Sequence, residues 1–493
     1  MNKIPEDIIN ETLKIGGRLA GSQLSVDLAR LYSQKTRIRT GQTGLRTWHA
    51  DEAFQRLQDA ETLIEIAFLH REQDLKTWRM YWQRAAEILE WLADANASPP
   101  NVPIAFLSAA VYQLAGYPAR ALGVINEMSD ADDHSSILKA FIKGDFRELQ
   151  NKVHNFWKHN LSFHEDMQKK APLEDVVIGE TISALGVQTS WFRWGDGSRL
   201  TKTIKKLESI SKILLYSKDA YSWLLARMVY EISKEFIHAS LRQNLGKILT
   251  RVNKSGADAV ERYLRLLFLE RAALAWPSQL AGIKNLESDS SFALCTPTGS
   301  GKTRIAELAI LDSLFNLQNE EGENPIVLYL VPSKALAVEV EVKMSRVLRH
   351  IGEEQIAVTS LYGGSDWGAS DSFLTYGQRM VLIATHEKTE ALVRFLGHSF
   401  IDRIKLIIID EAHGVEYIDD RENLKDAKSR SLHLETLVSR LFARLETKRC
   451  RIIALSAVAA GIENDLACWI TRTPDATAVT TNYRSTRQLI GRL

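Results

Sequence analysis

Residues 292–303 commit this chain to a particular kind of turn. A short apolar run, Phe292–Cys295, passes directly into Thr296-Pro297-Thr298-Gly299-Ser300-Gly301-Lys302-Thr303, and a helical pattern carried by Ile305, Leu308, Ala309 and Leu311 follows. Strand, glycine-bearing loop, Lys-Thr and helix, in that order, is the context of a phosphate cradle. Glycines let backbone N–H groups approach phosphate oxygens closely, and the start of the helix adds partial positive charge. The predicted binding set is Thr298, Gly299, Ser300, Gly301, Lys302 and Thr303. Lys302 can reach β- and γ-phosphates and take part in the chemistry, and the Thr303 hydroxyl suits Mg²⁺. Position 296 is Thr where the general pattern has Gly, and Cys295 is expected to be strand packing.

Further short apolar runs follow at 326–331, 356–361, 380–384, 406–409 and 452–455. Each is nearly all apolar, as parallel strands buried on both faces should be. Helical patterns separate most of them, which predicts an α/β fold with a doubly wound, mostly parallel sheet. The run ending at Ile409 leads into Asp410-Glu411-Ala412-His413. Ligands in open α/β sheets sit at the carboxyl tips of strands. Asp410 is therefore expected to hold Mg²⁺ and Glu411 to orient and deprotonate an attacking water. The stretch 419–430 has no apolar face and is expected to be a solvent loop.

The preceding residues have a different grammar. From about 50 to 270 the chain reads as helices; Trp78, Tyr81, Trp82, Ala85, Leu89 and Leu92 share one helical face. The Tyr112, Gly116-Tyr117, Ala121 spacing is that of a tetratricopeptide helix pair, but no repeat of about 34 residues accompanies it, which favours a plain bundle. Around Gly195 and Gly197, Trp191, Arg193, Trp194 and Arg199, followed by Lys202, Lys205 and Lys206, could stack on and clamp single-stranded bases. A core-anchored loop beside a solvated helix face is the competing reading. A net charge of +1 means that any nucleic-acid surface must gather its basic groups locally. The three cysteines are scattered, as in a reducing interior, the N-terminus shows no secretory pattern, and no apolar run is long enough to span a membrane. A cytoplasmic protein with no membrane partner is the expectation.

Taken together, these motifs resemble a superfamily 2 DEAD/DEAH-box helicase. Trp276-Pro277-Ser278-Gln279 resembles the segment in which a Gln, here Gln279, reads adenine. Pro332-Ser333-Lys334-Ala335-Leu336-Ala337, Gly363-Gly364 and Thr385-His386-Glu387-Lys388 resemble backbone-gripping segments. The resemblance thus implies nucleic-acid contacts at Ser333, Lys334, Gly363, Gly364, Thr385 and Lys388. Ser456-Ala457-Val458 resembles the Ser-Ala-Thr coupling motif, assigning that role to Ser456 and Ala457; Val458 lacks the third residue's hydroxyl. Arg430-Ser431, Leu434-Glu435, Asn464-Asp465-Leu466, Trp469-Ile470 and Tyr483-Arg484 resemble the Ski-like branch. The helical half, with its tryptophans and Ser240-Leu241, is similar to HamB-type helicases of the bacterial Hachiman antiviral system.

The resemblance implies an all-helical region at 1–255, a first RecA-like ATPase domain at 256–478 and a connector at 479–493. A second RecA-like domain, which supplies arginines in such motors, is expected on a longer chain or another polypeptide; Arg484, Arg487 and Arg492 are not assigned that role. The implied function is an ATP- and Mg²⁺-dependent helicase or translocase acting on nucleic acid, DNA rather than RNA, in antiviral defence. The alternative is an ATP-gated regulatory subunit whose helical half holds an effector protein such as a nuclease.

Overall fold

The computed structural model describes residues 4–21, 50–94, 102–128, 132–159, 172–217, 219–317, 324–353, 356–361, 379–415, 430–445, 450–457 and 461–481. They fall into two compact units divided between His238 and Ala239.

The first unit is helical throughout its described residues. The helix Trp78–Asp94 buries Tyr81, Trp82, Ala85, Leu89 and Leu92, the predicted face. Trp82 meets Phe68 and Trp78 edge-on at 5.1 Å each, and the Arg71 guanidinium lies over both indoles. The next helix, Ile104–Leu114, is apolar on nearly all sides and correspondingly buried. It ends where Gly116 adopts φ +85°, letting the Tyr117 N–H reach back to the Tyr112 carbonyl. Pro118, whose missing N–H costs nothing at a first helical position, opens Pro118–Glu127. Trp191 is buried against Phe192, as a core anchor would be, while Trp194 is exposed under the Arg193 guanidinium.

The second unit carries seven strands: β1 (Phe292–Cys295), β2 (Ile326–Val331), β3 (Ala357–Leu361), β4 (Met380–Thr385), β5 (Ile404–Ile409), β6 (Arg451–Ser456) and β7 (Val479–Thr480). They pair in the order β3-β4-β2-β5-β6-β1-β7, and every pairing is parallel. Successive strand residues point to opposite faces. Along β2, Val327, Tyr329 and Val331 enter a core with the helices Lys254–Leu269, Lys302–Phe315 and Lys334–His350. Ile326, Leu328 and Leu330 enter a second core with His386–Arg403, Arg430–Leu445 and Glu463–Thr471. Two covered faces explain the unbroken apolar runs, and the unit is a doubly wound, RecA-like α/β fold. β3, at one sheet edge, is only half-buried over four of its five residues.

The compact unit begins before residue 256, the boundary expected from sequence. Leu241, Leu245, Ile248 and Val252 pack in the same core as Leu294 and Ile305, and Ser240 bridges Leu274. A buried ion cluster fastens this segment. Arg251 holds both oxygens of Asp312 on the helix Lys302–Phe315, and Arg251 and Arg451 both donate to the Leu286 carbonyl. Burial outweighs these guanidiniums at Asp312, holding its carboxyl above the usual range, and pushes Arg451 down to about 10. Among the described residues no helix is long and apolar enough to cross a membrane.

Candidate functional site

Because the strands are parallel, every turn that follows a strand opens on the same edge of the sheet. The loop after β1 and the acidic pair after β5 share that edge, separated by the width of β6. Gly299 (φ +76°) and Gly301 (φ +84°) take left-handed backbone angles within the loop, and Gly301 caps the helix Lys302–Phe315. The Ser300 N–H donates to the Pro297 carbonyl, and the buried hydroxyls of Thr296 and Ser300 pair at 2.6 Å. Thr296 thus has a use that the glycine of the general pattern would lack. Lys302 Nζ donates to the Thr296 carbonyl at 3.0 Å. Burial pushes the Lys302 ammonium below its ordinary range, while Glu411 and Asp410 pull it back up. Lys302 and the two acids thus lie near enough for their charges to act on one another.

Asp410 is largely enclosed. Its Oδ2 accepts from the Tyr329 hydroxyl at 3.0 Å and its Oδ1 from the Glu411 N–H at 3.0 Å. Burial raises its carboxyl above the usual range, opposed by the Tyr329 hydrogen bond. Glu411 sits at φ +51°, a strained setting for a side-chain-bearing residue and one met at functional turns. Its carboxylate is 39% exposed and lies 3.3 Å from His413 Nδ1. That nitrogen is also 3.4 Å from Ser456 Oγ, so a polar chain runs from Glu411 to the tip of β6. Ser456 donates in turn to the Ala457 carbonyl.

Gln279 has structural work that the motif alone does not reveal. Its Oε1 accepts from the Trp276 N–H at 2.9 Å, and its Nε2 approaches the Gly301 carbonyl at 3.4 Å. Ser278 donates to the Ser300 carbonyl at 2.8 Å. The helix Pro277–Leu286 therefore grips the loop from behind. Thr298 and Gly299 are exposed at the loop's crest, and Thr303 is half-buried at the helix start.

The residues expected to grip a strand are placed less uniformly. Ser333 and Thr385 follow β2 and β4, which are neighbours in the sheet. Their hydroxyls cap helices, accepting from the Leu336 and Lys388 N–H groups. Lys334 is exposed, but Lys388 is buried, so in this arrangement its ammonium does not project to the surface. Gly363 and Gly364 lie outside the described residues, as do Val458 and most of the 419–430 stretch.

Among the described residues no cluster of three His, Cys, Asp or Glu is built to hold a metal. Thr303 and Asp410 instead provide a hydroxyl and a carboxylate, hard oxygen donors of the kind that hold a phosphate-bound Mg²⁺ together with water. The residues fit that ion.

Residues 276–464 match the DEAD/DEAH box helicase family. The Hachiman protein HamB of Bacillus cereus is 26% identical over 409 residues, 82% of this chain and 34% of HamB. That is more than the second unit holds, so the similarity runs on into the helical unit. The ATP-dependent DNA helicase Hel308 of Pyrococcus abyssi is 33% identical over 174 residues, 35% of this chain and 20% of Hel308. The RQC trigger complex helicase SLH1 of Saccharomyces cerevisiae is 31% identical over 183 residues, 35% of this chain and 8% of SLH1. This chain spans about a third of the length of HamB and smaller shares of the other two. Among solved structures, the DUF1998 helicase MrfA bound to DNA aligns with TM-score 0.37 and 19% identity, covering 47% of this chain and 30% of that one. Over residues 276–464 this chain is therefore similar to DEAD/DEAH box helicases.

Proposed function

We propose that this chain is the ATP-binding lobe of a DNA helicase or translocase, that it hydrolyses ATP with Mg²⁺, and that it works in antiviral defence. The observation that carries the proposal is the mutual influence of Lys302, Asp410 and Glu411 at one edge of a parallel sheet. Similarity to Hel308 supports DNA as the substrate, and similarity to HamB through both units supports the defence role. The fit to a reducing, cytoplasmic setting is part of the same reading, with Cys295, Cys450 and Cys468 all free.

Phosphate oxygens would replace the Thr296 carbonyl as the partner of Lys302. N–H groups of the helix's first turn, unpaired within the helix, add donors. The second N–H of Gln279 Nε2 remains for adenine. Thr303 and Asp410 would hold Mg²⁺, which neutralises charge on the β- and γ-phosphates. Glu411 accepts a proton from water as the water oxygen bonds the γ-phosphorus; the bridging bond breaks and its electron pair leaves with ADP. His413 and Ser456 give that event a polar route to the end of β6. Full turnover needs a second RecA-like lobe, whose arginine stabilises the transferring group by about 10³–10⁵ in rate.

The test is ATPase activity with and without single-stranded DNA or RNA, followed by strand displacement, on the full-length protein. Lys302→Ala should lose ATP binding, whereas Glu411→Gln should bind ATP and fail to turn it over. Wild-type hydrolysis by Glu411→Gln would remove the assigned base. DNA-stimulated ATPase without displacement would favour an ATP-gated subunit that controls an effector protein.

A further inference from the structure

Tyr329 lies in the middle of β2, opposite Ile408 of β5, and is 1% exposed. On packing grounds alone phenylalanine would serve there. The hydroxyl, however, lies 3.0 Å from Asp410 Oδ2, two residues beyond Ile408 along the neighbouring strand. The other oxygen of the same carboxylate takes the Glu411 N–H. One donor on each oxygen fixes both the rotation of the carboxylate about its bond and the direction of its remaining lone pairs. The two donors differ in kind. The Glu411 N–H belongs to the same turn and moves with it, while Tyr329 belongs to a strand hydrogen-bonded on both sides.

We propose that Tyr329 is a positioning residue for the divalent cation, aiming the Asp410 carboxylate so that its remaining lone pairs meet the nucleotide-bound ion. This rests on the nucleotide reading of the site given above. Partners that orient metal-holding side chains typically contribute about 10- to 100-fold in metal affinity, because an unaimed ligand must be ordered on binding. The effect should therefore appear in the Mg²⁺ dependence and spare the nucleotide itself.

The experiment uses the full-length protein and the fluorescent probe N-methylanthraniloyl-ATP, titrated first in EDTA and then with MgCl₂. Tyr329→Phe should bind the probe in EDTA as the wild type does, yet need roughly tenfold or more Mg²⁺ for half-maximal enhancement. In an Asp410→Asn background, adding Tyr329→Phe should change the Mg²⁺ dependence little, since the residue acts through that carboxylate. An unchanged Mg²⁺ midpoint in Tyr329→Phe, with Asp410→Asn shifted, would overturn the proposal and leave Tyr329 a core residue. Unshifted midpoints in both variants would overturn the Asp410 assignment, and the proposal with it. A Tyr329→Phe effect that persists in the Asp410→Asn background would also overturn it, because the tyrosine would then act by another route.

Discussion

Gly301→Ala probes how tightly the phosphate loop is built. The backbone at 301 sits at φ +84°, where an L side chain costs about 1–2 kcal/mol. The added Cβ would stand 2.9 Å from Gln279 Cδ and closer still to its Nε2. The Gln279 side chain must therefore move, losing its bonds to the Trp276 N–H and the Gly301 carbonyl. At about 0.5–1.5 kcal/mol each, those losses bring the total to about 2–5 kcal/mol. A loop relaxed to escape the clash must be rebuilt around phosphates, so the cost should appear in ATP affinity, from about 30-fold to several thousand-fold. The decisive assay is a double-mutant cycle of ATP dissociation constants. In a Gln279→Ala background the clash is gone, and Gly301→Ala should cost only about 1–2 kcal/mol, roughly 5- to 30-fold. An equal factor in both backgrounds would refute the idea that Gln279 buttresses the loop.

Two other groups yield expectations of a different kind. Asp312→Ala should destabilise the second unit by about 3–5 kcal/mol in urea denaturation, because the largely buried Arg251 and Arg451 would keep only the exposed Asp289 as a counter-charge; a loss below about 1 kcal/mol would show that Asp289 and water compensate the cluster. The buried Cys295 thiol is pushed up to about 11, so at pH 8 it is neutral and should resist iodoacetamide in the native protein, reacting only after unfolding, as mass spectrometry would show.

Much of the α/β fold was legible because its strands are buried on both faces and so stand out as apolar runs. β1 and β2 have the expected limits, whereas β4, β5 and β6 extend by one or two residues into Thr385, Ile404-Lys405, Arg451 and Ser456. At those ends ladder hydrogen bonds continue past the apolar signal. β7 was invisible, since Val479–Thr480 becomes a strand only through its pairing with β1. The unit's beginning was misplaced for a related reason. Leu241, Leu245 and Ile248 read as ordinary helix, and only their three-dimensional packing assigns them to the core of the second unit.

The site divides along the same line. The loop at 296–303 and the acids at 410–411 are local signals, because a phosphate cradle and a strand-tip carboxylate are each made by one short piece of chain. Parallel strand direction then suffices to put both on one edge, whatever the strand order. What local signals could not supply were the cross-strand partners. Tyr329 meets Asp410 because β2 and β5 are neighbours in a particular register, and nothing in either segment specifies that register. Nor does a hydroxyl after a strand declare its use. Ser333 and Thr385 read equally well as ligands and as helix caps, and in this structure they are caps. Any grip on a nucleic-acid backbone at those two positions would then fall first to exposed groups such as Lys334 and to the helix N-termini, with the hydroxyls holding those termini in place.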